Sequence, residues 1–134
     1  TMFQIIDGNT KLDTLYSNKD LDAKLSGIIL FENTVFGVSD KRKLWVGIDF
    51  DSGETVFTSR DFKPGSFIQA DNKFYMYSDA GEVALAHPSQ TGFEIASRFQ
   101  IPNTNPRMAF AHPVINDGIL YIRYEDKLWL YKVK

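Results

Sequence analysis

Ser66-Phe67-Ile68-Gln69-Ala70-Asp71-Asn72-Lys73-Phe74-Tyr75-Met76-Tyr77-Ser78 is the stretch that decides the fold. After the Asp71-Asn72 pair, Phe74, Met76 and Ser78 alternate with Tyr75 and Tyr77. A period of two belongs to extended chain, and aromatic side chains pack well on a pleated surface. Asp71-Asn72 supplies residues that tolerate positive φ or bond their own backbone, so the stretch predicts strand, turn, strand.

Outward from this hairpin the same punctuation recurs, at Asp7-Gly8-Asn9, Glu32-Asn33, Asp51-Ser52-Gly53, Asp79-Ala80-Gly81 and Asn116-Asp117-Gly118. Between these turns the pattern predicts about thirteen short strands, at residues 2–7, 11–17, 27–31, 34–39, 44–50, 54–58, 66–70, 73–78, 82–86, 93–98, 111–115, 118–123 and 127–133. Asp20 to Leu25 has one helical spacing, Leu21 to Leu25, and a capping Asp20, but it is too short to stand as a helix and is read as a loop or single turn. Helices do not alternate with strands, which argues against a parallel α/β fold.

The hairpins repeat. Ile28 to Gly37, Ser66 to Tyr75 and Pro113 to Tyr121 each open a unit, with Phe36, Tyr75 and Tyr121 spaced by about 39 and about 46 residues. Four-stranded propeller blades have that period. The expected fold is all-β: a partial β-propeller of about three four-stranded antiparallel blades plus two strands of a preceding blade. The units run approximately 1–26 (partial), 27–64, 65–108 and 109–134. A single-domain β-barrel or sandwich is the rival. Three blades and a fraction cannot close a ring, and an open wedge leaves apolar sheet faces in water. The expectation is therefore a C-terminal segment of a longer propeller, or a ring completed by a homo-oligomeric partner.

Composition narrows the function. The 134 residues suit one domain or a piece of one, and 43% hydrophobic residues with 11 Phe, 6 Tyr and 2 Trp exclude a disordered chain. Fifteen basic residues against 17 acidic ones give a net charge of −2, which argues against a nucleic-acid partner. Without cysteine there is no disulfide framework, thiolate nucleophile or Cys-bearing metal site. Apolar runs are too short for membrane insertion, and the first seven residues lack the basic start and apolar stretch of a signal peptide.

No Gly-rich phosphate loop, serine elbow or HExxH pattern occurs, so no catalytic residue, cofactor or metal site is expected. His87 and His112 each precede a proline and are read first as structural. His112 is the better ligand candidate, because innermost propeller strands line the central channel. Arg107, Arg123, Glu125 and Asp126 cluster in the last unit, either as a structural ion pair or as a polar patch for an anionic ligand. The possible channel-facing or ligand-facing residues are thus His112, Arg123, Arg107 and Glu125. Lys41-Arg42-Lys43 is read as a hairpin tip, and Arg60-Asp61-Phe62-Lys63 as a solvated connection. Asp40, Asp49, Asp51, Asp71 and Asp79 are assigned to turn chemistry rather than calcium. The polar loop from Asn103 to Pro106 is a plausible recognition loop without specificity.

Ala111-His112-Pro113-Val114-Ile115-Asn116-Asp117-Gly118-Ile119-Leu120-Tyr121-Ile122-Arg123, followed by Leu128-Trp129-Leu130-Tyr131-Lys132-Val133, resembles the last blade of the PQQ-like (quinoprotein alcohol dehydrogenase-like) propeller repeat family. Ile48 to Phe57 and Gly65 to Tyr75 resemble its strand-turn-strand signature, and Gly81 to Leu85 and Gly92 to Glu94 follow more weakly. The likeness covers most of the chain from about Leu12. Phe57 stands where that signature usually has Trp, and Lys132 replaces an acidic residue, so the likeness is to the cofactor-free members. It implies a non-enzymatic scaffold or interaction surface in a periplasmic or secreted protein. A fragment of a quinone-dependent oxidoreductase, or a secreted carbohydrate-associated propeller protein with exposed Tyr and Trp on one face, are the alternatives.

Overall fold

The structure is a computed structural model that describes residues 1–6, 8, 10–102 and 109–133. Its described residues form thirteen strands in four antiparallel sheets. A hairpin of β1 (Met2–Ile6) and β2 (Lys11–Tyr16) comes first. The first four-stranded sheet follows, with β3 (Ile29–Phe31), β4 (Thr34–Ser39), β5 (Leu44–Asp49) and β6 (Thr55–Ser59) in sequence order. The second contains β7 (Gly65–Ala70), β8 (Lys73–Ser78), β9 (Glu82–Ser89) and β10 (Gly92–Gln100). The third has three strands, β11 (Val114–Asn116), β12 (Ile119–Tyr124) and β13 (Lys127–Lys132). This is the partial propeller architecture expected from the sequence. The two full blades have four strands each, and the last unit has three among the described residues.

The predicted strands lie within a few residues of those observed. The largest differences are at β11, which begins three residues later than the expected 111–115, and at β9 and β10, which run further than 82–86 and 93–98. Pairing of β9 with β8 ends at Phe74–Ala86, so from His87 onward β9 bonds β10 alone. Pro88 sits on that one-sided stretch, where a missing N–H costs no ladder bond on the free edge. The prolonged hairpin reaches the first sheet, and Thr34 Oγ1 donates to Gln90 O at 2.7 Å. Gly92 (φ +143°) sits at its tip against the Phe57 ring, where a Cβ would collide.

The turns repeat the hairpin chemistry. Asp71 and Asn72 have φ of 50° and 56°, and Asp117 and Gly118 have 48° and 70°. Positive φ at both central residues gives the turn that matches strand twist. Asp49 accepts from Ser52 N and Ser52 Oγ, both at 2.8 Å, and from Asn33 Nδ2 at 3.0 Å. Those bonds stabilise its carboxylate and hold its pKa below the ordinary aspartate value.

Alternation sorts the core into layers. Phe36, Val38 and Trp45 of the first sheet meet Phe67, Phe74, Met76, Ala84 and Ala86 of the second. The opposite face of the second sheet, with Tyr75, Tyr77 and Val83, meets Leu120, Ile122 and Tyr124 of the third. Phe62 joins the first layer at 1% exposure, which corrects the reading of residues 60–63 as a solvated connection. Its charged neighbours Arg60, Asp61 and Lys63 are exposed, while the phenyl ring packs beside Trp45.

The back of the first sheet, with Leu44, Val46 and Ile48, is covered by the segment after β2 through Leu21. Leu21 fits over Gly37, whose lack of a side chain leaves the space. Tyr16 Oη donates to Phe50 O at 2.8 Å, and Asn18 Nδ2 donates to Gly53 O at 2.8 Å. Arg42 pairs with Asp20 at 2.8 Å. Residues 20–25 are a loop without helix.

Candidate functional site

A cavity of about 480 Å³ opens at the end of the blades where the innermost strands begin. Leu25 and Ser26 precede β3, Pro64 and Gly65 open β7, and Ala109 and Phe110 lead toward β11. The β4–β5 turn adds Asp40, Lys41 and Lys43, and the β8–β9 turn adds Asp79. Consecutive antiparallel strands return these turns to the same end, so residues far apart in sequence meet there.

The carboxylates differ in their occupation. Asp40 Oδ2 accepts from Lys24 N at 2.6 Å, and Asp22 Oδ1 accepts from Lys41 N at 3.4 Å. Partial burial pulls the Asp22 pKa upward. Hydrogen bonds from Ser39 and the Lys41 and Asp40 backbone, with the nearby Lys41 charge, outweigh this and hold it below the ordinary aspartate value. Asp79 is fixed through its backbone: its N–H donates to Pro64 O at 3.1 Å, and its carbonyl accepts from Ala109 N at 2.8 Å. Among the described residues, its carboxylate accepts no hydrogen bond, and no carboxylate pairs with the ammonium groups of Lys24 or Lys43. Phe110 lies open at 55% exposure over an apolar wall that includes Leu25, Val38, Pro64 and Ala109.

His112 stands beside this end, exposed, with Nε2 2.9 Å from Leu25 O. It joins the chain before β3 to the chain before β11. Arg123 and Glu125 lie at the same end, on β12 and in the β12–β13 turn. Arg123 Nε donates to the Glu125 backbone carbonyl at 3.1 Å. Both side chains are exposed, and Arg123 projects on the far face of the third sheet. Arg107 and the Asn103–Pro106 loop lie outside the described residues. His87 is exposed on the projecting β9–β10 hairpin, and Lys41-Arg42-Lys43 forms the β4–β5 turn. Among the described residues, no group of three or more His, Asp or Glu could hold a metal ion, and no helix is long and apolar enough to cross a membrane.

The cavity residues Asp79, Lys43 and Phe110 were not singled out as ligand-facing from sequence. Each occupies a turn or connection that composition explains without a ligand. The blade repeat, which brings equivalent turns to one end, was the signal that could have grouped them. A second cavity of about 340 Å³ lies between the second and third sheets and is lined mainly by apolar side chains, among them Tyr75, Leu85, Phe99 and Tyr131. No known family model matches this chain, and neither does any curated protein.

Proposed function

We propose that the chain is a non-enzymatic segment of a PQQ-like propeller, a scaffold whose third sheet receives a further blade. The carrying observation is a face repeated in every blade. Phe36 and Tyr75 occupy equivalent places after the first hairpin turn, and each faces the following sheet. Tyr121 is the third equivalent, on the side of β12 away from Leu120 and Ile122. Around it Val114, Leu128 and Leu130 are 55%, 57% and 54% exposed. Val83 and Leu85, paired with Tyr77 and Tyr75, are the second blade's counterparts of Leu128 and Leu130 and face the third sheet. An apolar sheet face in this position favours a covering sheet at roughly 25 cal/mol per Å² of apolar area removed from water.

That blade comes from the remainder of a longer propeller chain or from a second copy completing the ring. The periplasmic or secreted location rests on the family resemblance. The carbohydrate reading has less support, because Trp45, Tyr75, Tyr77 and Tyr124 are spent in the interfaces between sheets.

Native mass spectrometry and sedimentation of the chain, beside a Leu128→Glu/Leu130→Glu variant, test the proposal. Expected is concentration-dependent association of the wild-type chain that the two charges abolish, with the circular dichroism spectrum unchanged. A wild-type chain that stays monomeric at all concentrations and binds no apolar dye on this face overturns it.

A further inference from the structure

We propose that the cavity between the first and second blades binds a dipeptide-sized zwitterion with an apolar side group. Lys24 and Lys43, which pair with no carboxylate among the described residues, receive the ligand carboxylate, and Asp79 receives the amine. The inference concerns a site within this chain and does not rest on the ring-completion reading.

Three observations carry it. The first is size: about 480 Å³ lies within the range of roughly 300–1,000 Å³ usual for small-ligand pockets. The second is the division of charge. Asp22 and Asp40 are engaged by backbone N–H groups, and Asp22 also faces Lys41, so both carboxylates already hold partners within the protein. The remaining charges sit on different structural units. Lys24 and Lys43 belong to the first blade and the loop before it, whereas Asp79 belongs to the second blade. The third is the apolar wall of Leu25, Val38 and Pro64 with the open Phe110 ring, which gives an apolar side group a surface to cover.

A purely anionic ligand would leave Asp79 opposing it, and a purely cationic one would leave two lysines opposing it. A ligand with both charges satisfies the cavity's unspent groups. Two backbone hydrogen bonds fix the main chain at Asp79, so the position from which its carboxylate reaches the cavity is set before binding.

Isothermal titration of the chain with L-leucyl-L-leucine, its N-acetyl derivative and its C-terminal amide provides the test. Saturable one-to-one binding of the free dipeptide is expected, with at least fivefold weaker binding when either end is blocked. In Asp79→Asn the free and acetylated ligands should bind equally, and in Lys43→Met the discrimination against the amide should shrink. Each comparison is made between ligands within one variant, so a modest loss of folded protein does not imitate it. Absence of saturable binding of the free dipeptide overturns the proposal. So does equal binding of all three ligands to the wild-type chain, or discrimination that survives both substitutions. Association state measured on the same samples reports separately on ring completion.

Discussion

β8 and β12 are equivalent six-residue strands with different surroundings. In β8 every residue from Phe74 to Ser78 is buried, because the second sheet has a neighbour on both faces. In β12 burial alternates: Leu120, Ile122 and Tyr124 are buried, while Arg123 is exposed and Ile119 and Tyr121 are half-buried. Both strands use the turn geometry that pairs them with the preceding strand, at Asp71-Asn72 and at Asp117-Gly118. Local sequence therefore makes the hairpin, and stacking decides how much each side chain contributes. The same alternating pattern stabilises strongly in one blade and leaves a face available for association in another.

Truncation of the two faces gives the largest contrast. Phe74 is fully buried and packs edge-on against Phe31, Phe36 and Phe67. Phe74→Ala should cost about 3–5 kcal/mol in denaturant unfolding, through lost burial and the cavity left behind. Leu130→Ala on the open face should change the stability of the monomeric chain by no more than about 0.5 kcal/mol. Similar costs at the two sites would mean that the far face of the third sheet is covered in solution.

A smaller effect should appear in alkali. Burial chiefly, with the nearby Tyr124 and Tyr131 groups, raises the Tyr77 hydroxyl pKa to about 12. The hydroxyl also donates to Arg123 O at 3.3 Å, a bond that ionisation removes. The unfolded tyrosine loses its proton near pH 10, before the folded one does. Between these values the folded state binds more protons, so stability falls as pH rises from about 10 to about 12. Tyr77→Phe should flatten part of this decline while costing about 0.5–1.5 kcal/mol at neutral pH. An unchanged alkaline slope in the variant would assign it to other groups.

The elements were legible because the hairpins carry their own instructions. Asp71-Asn72 and Asp117-Gly118 mark turns, and the adjoining period of two marks strands that pair at short range. The extent of β9 was less legible, since Pro88 signals an edge without revealing that β10 continues beside it beyond the limit of β8. Residues 60–63 were misread because three charges around one Phe look solvated, and only the stacked sheets show that Phe62 turns inward. The cavity was least legible. Its lysines and Asp79 share no spacing and meet through the return of separate strands to one end. Repeat logic reads His112 as channel-facing, whereas its bond to Leu25 O depends on the path of the loop before β3.

Trp45 sharpens the comparison between stacked sheets at its smallest scale. It is 1% exposed and meets Phe67 and Phe93 at near-perpendicular ring angles of 86° and 87°, with Phe62 alongside. Among the described residues its indole N–H has no hydrogen-bond partner. Burial of the ring stabilises the interface, whereas burial of an unsatisfied donor costs about 1–3 kcal/mol. Trp45→Phe removes that donor and keeps an aromatic ring, so the gain in polar satisfaction offsets much of the lost volume. The expected cost is below about 1.5 kcal/mol, well under the 3–5 kcal/mol typical of truncating a buried Trp to Ala. Denaturant unfolding of Trp45→Phe, followed by circular dichroism because the substitution removes a fluorophore, checks this. A loss of about 3 kcal/mol or more would show that the indole N–H has a partner in solution and that this stacked interface gains polar as well as apolar stabilisation.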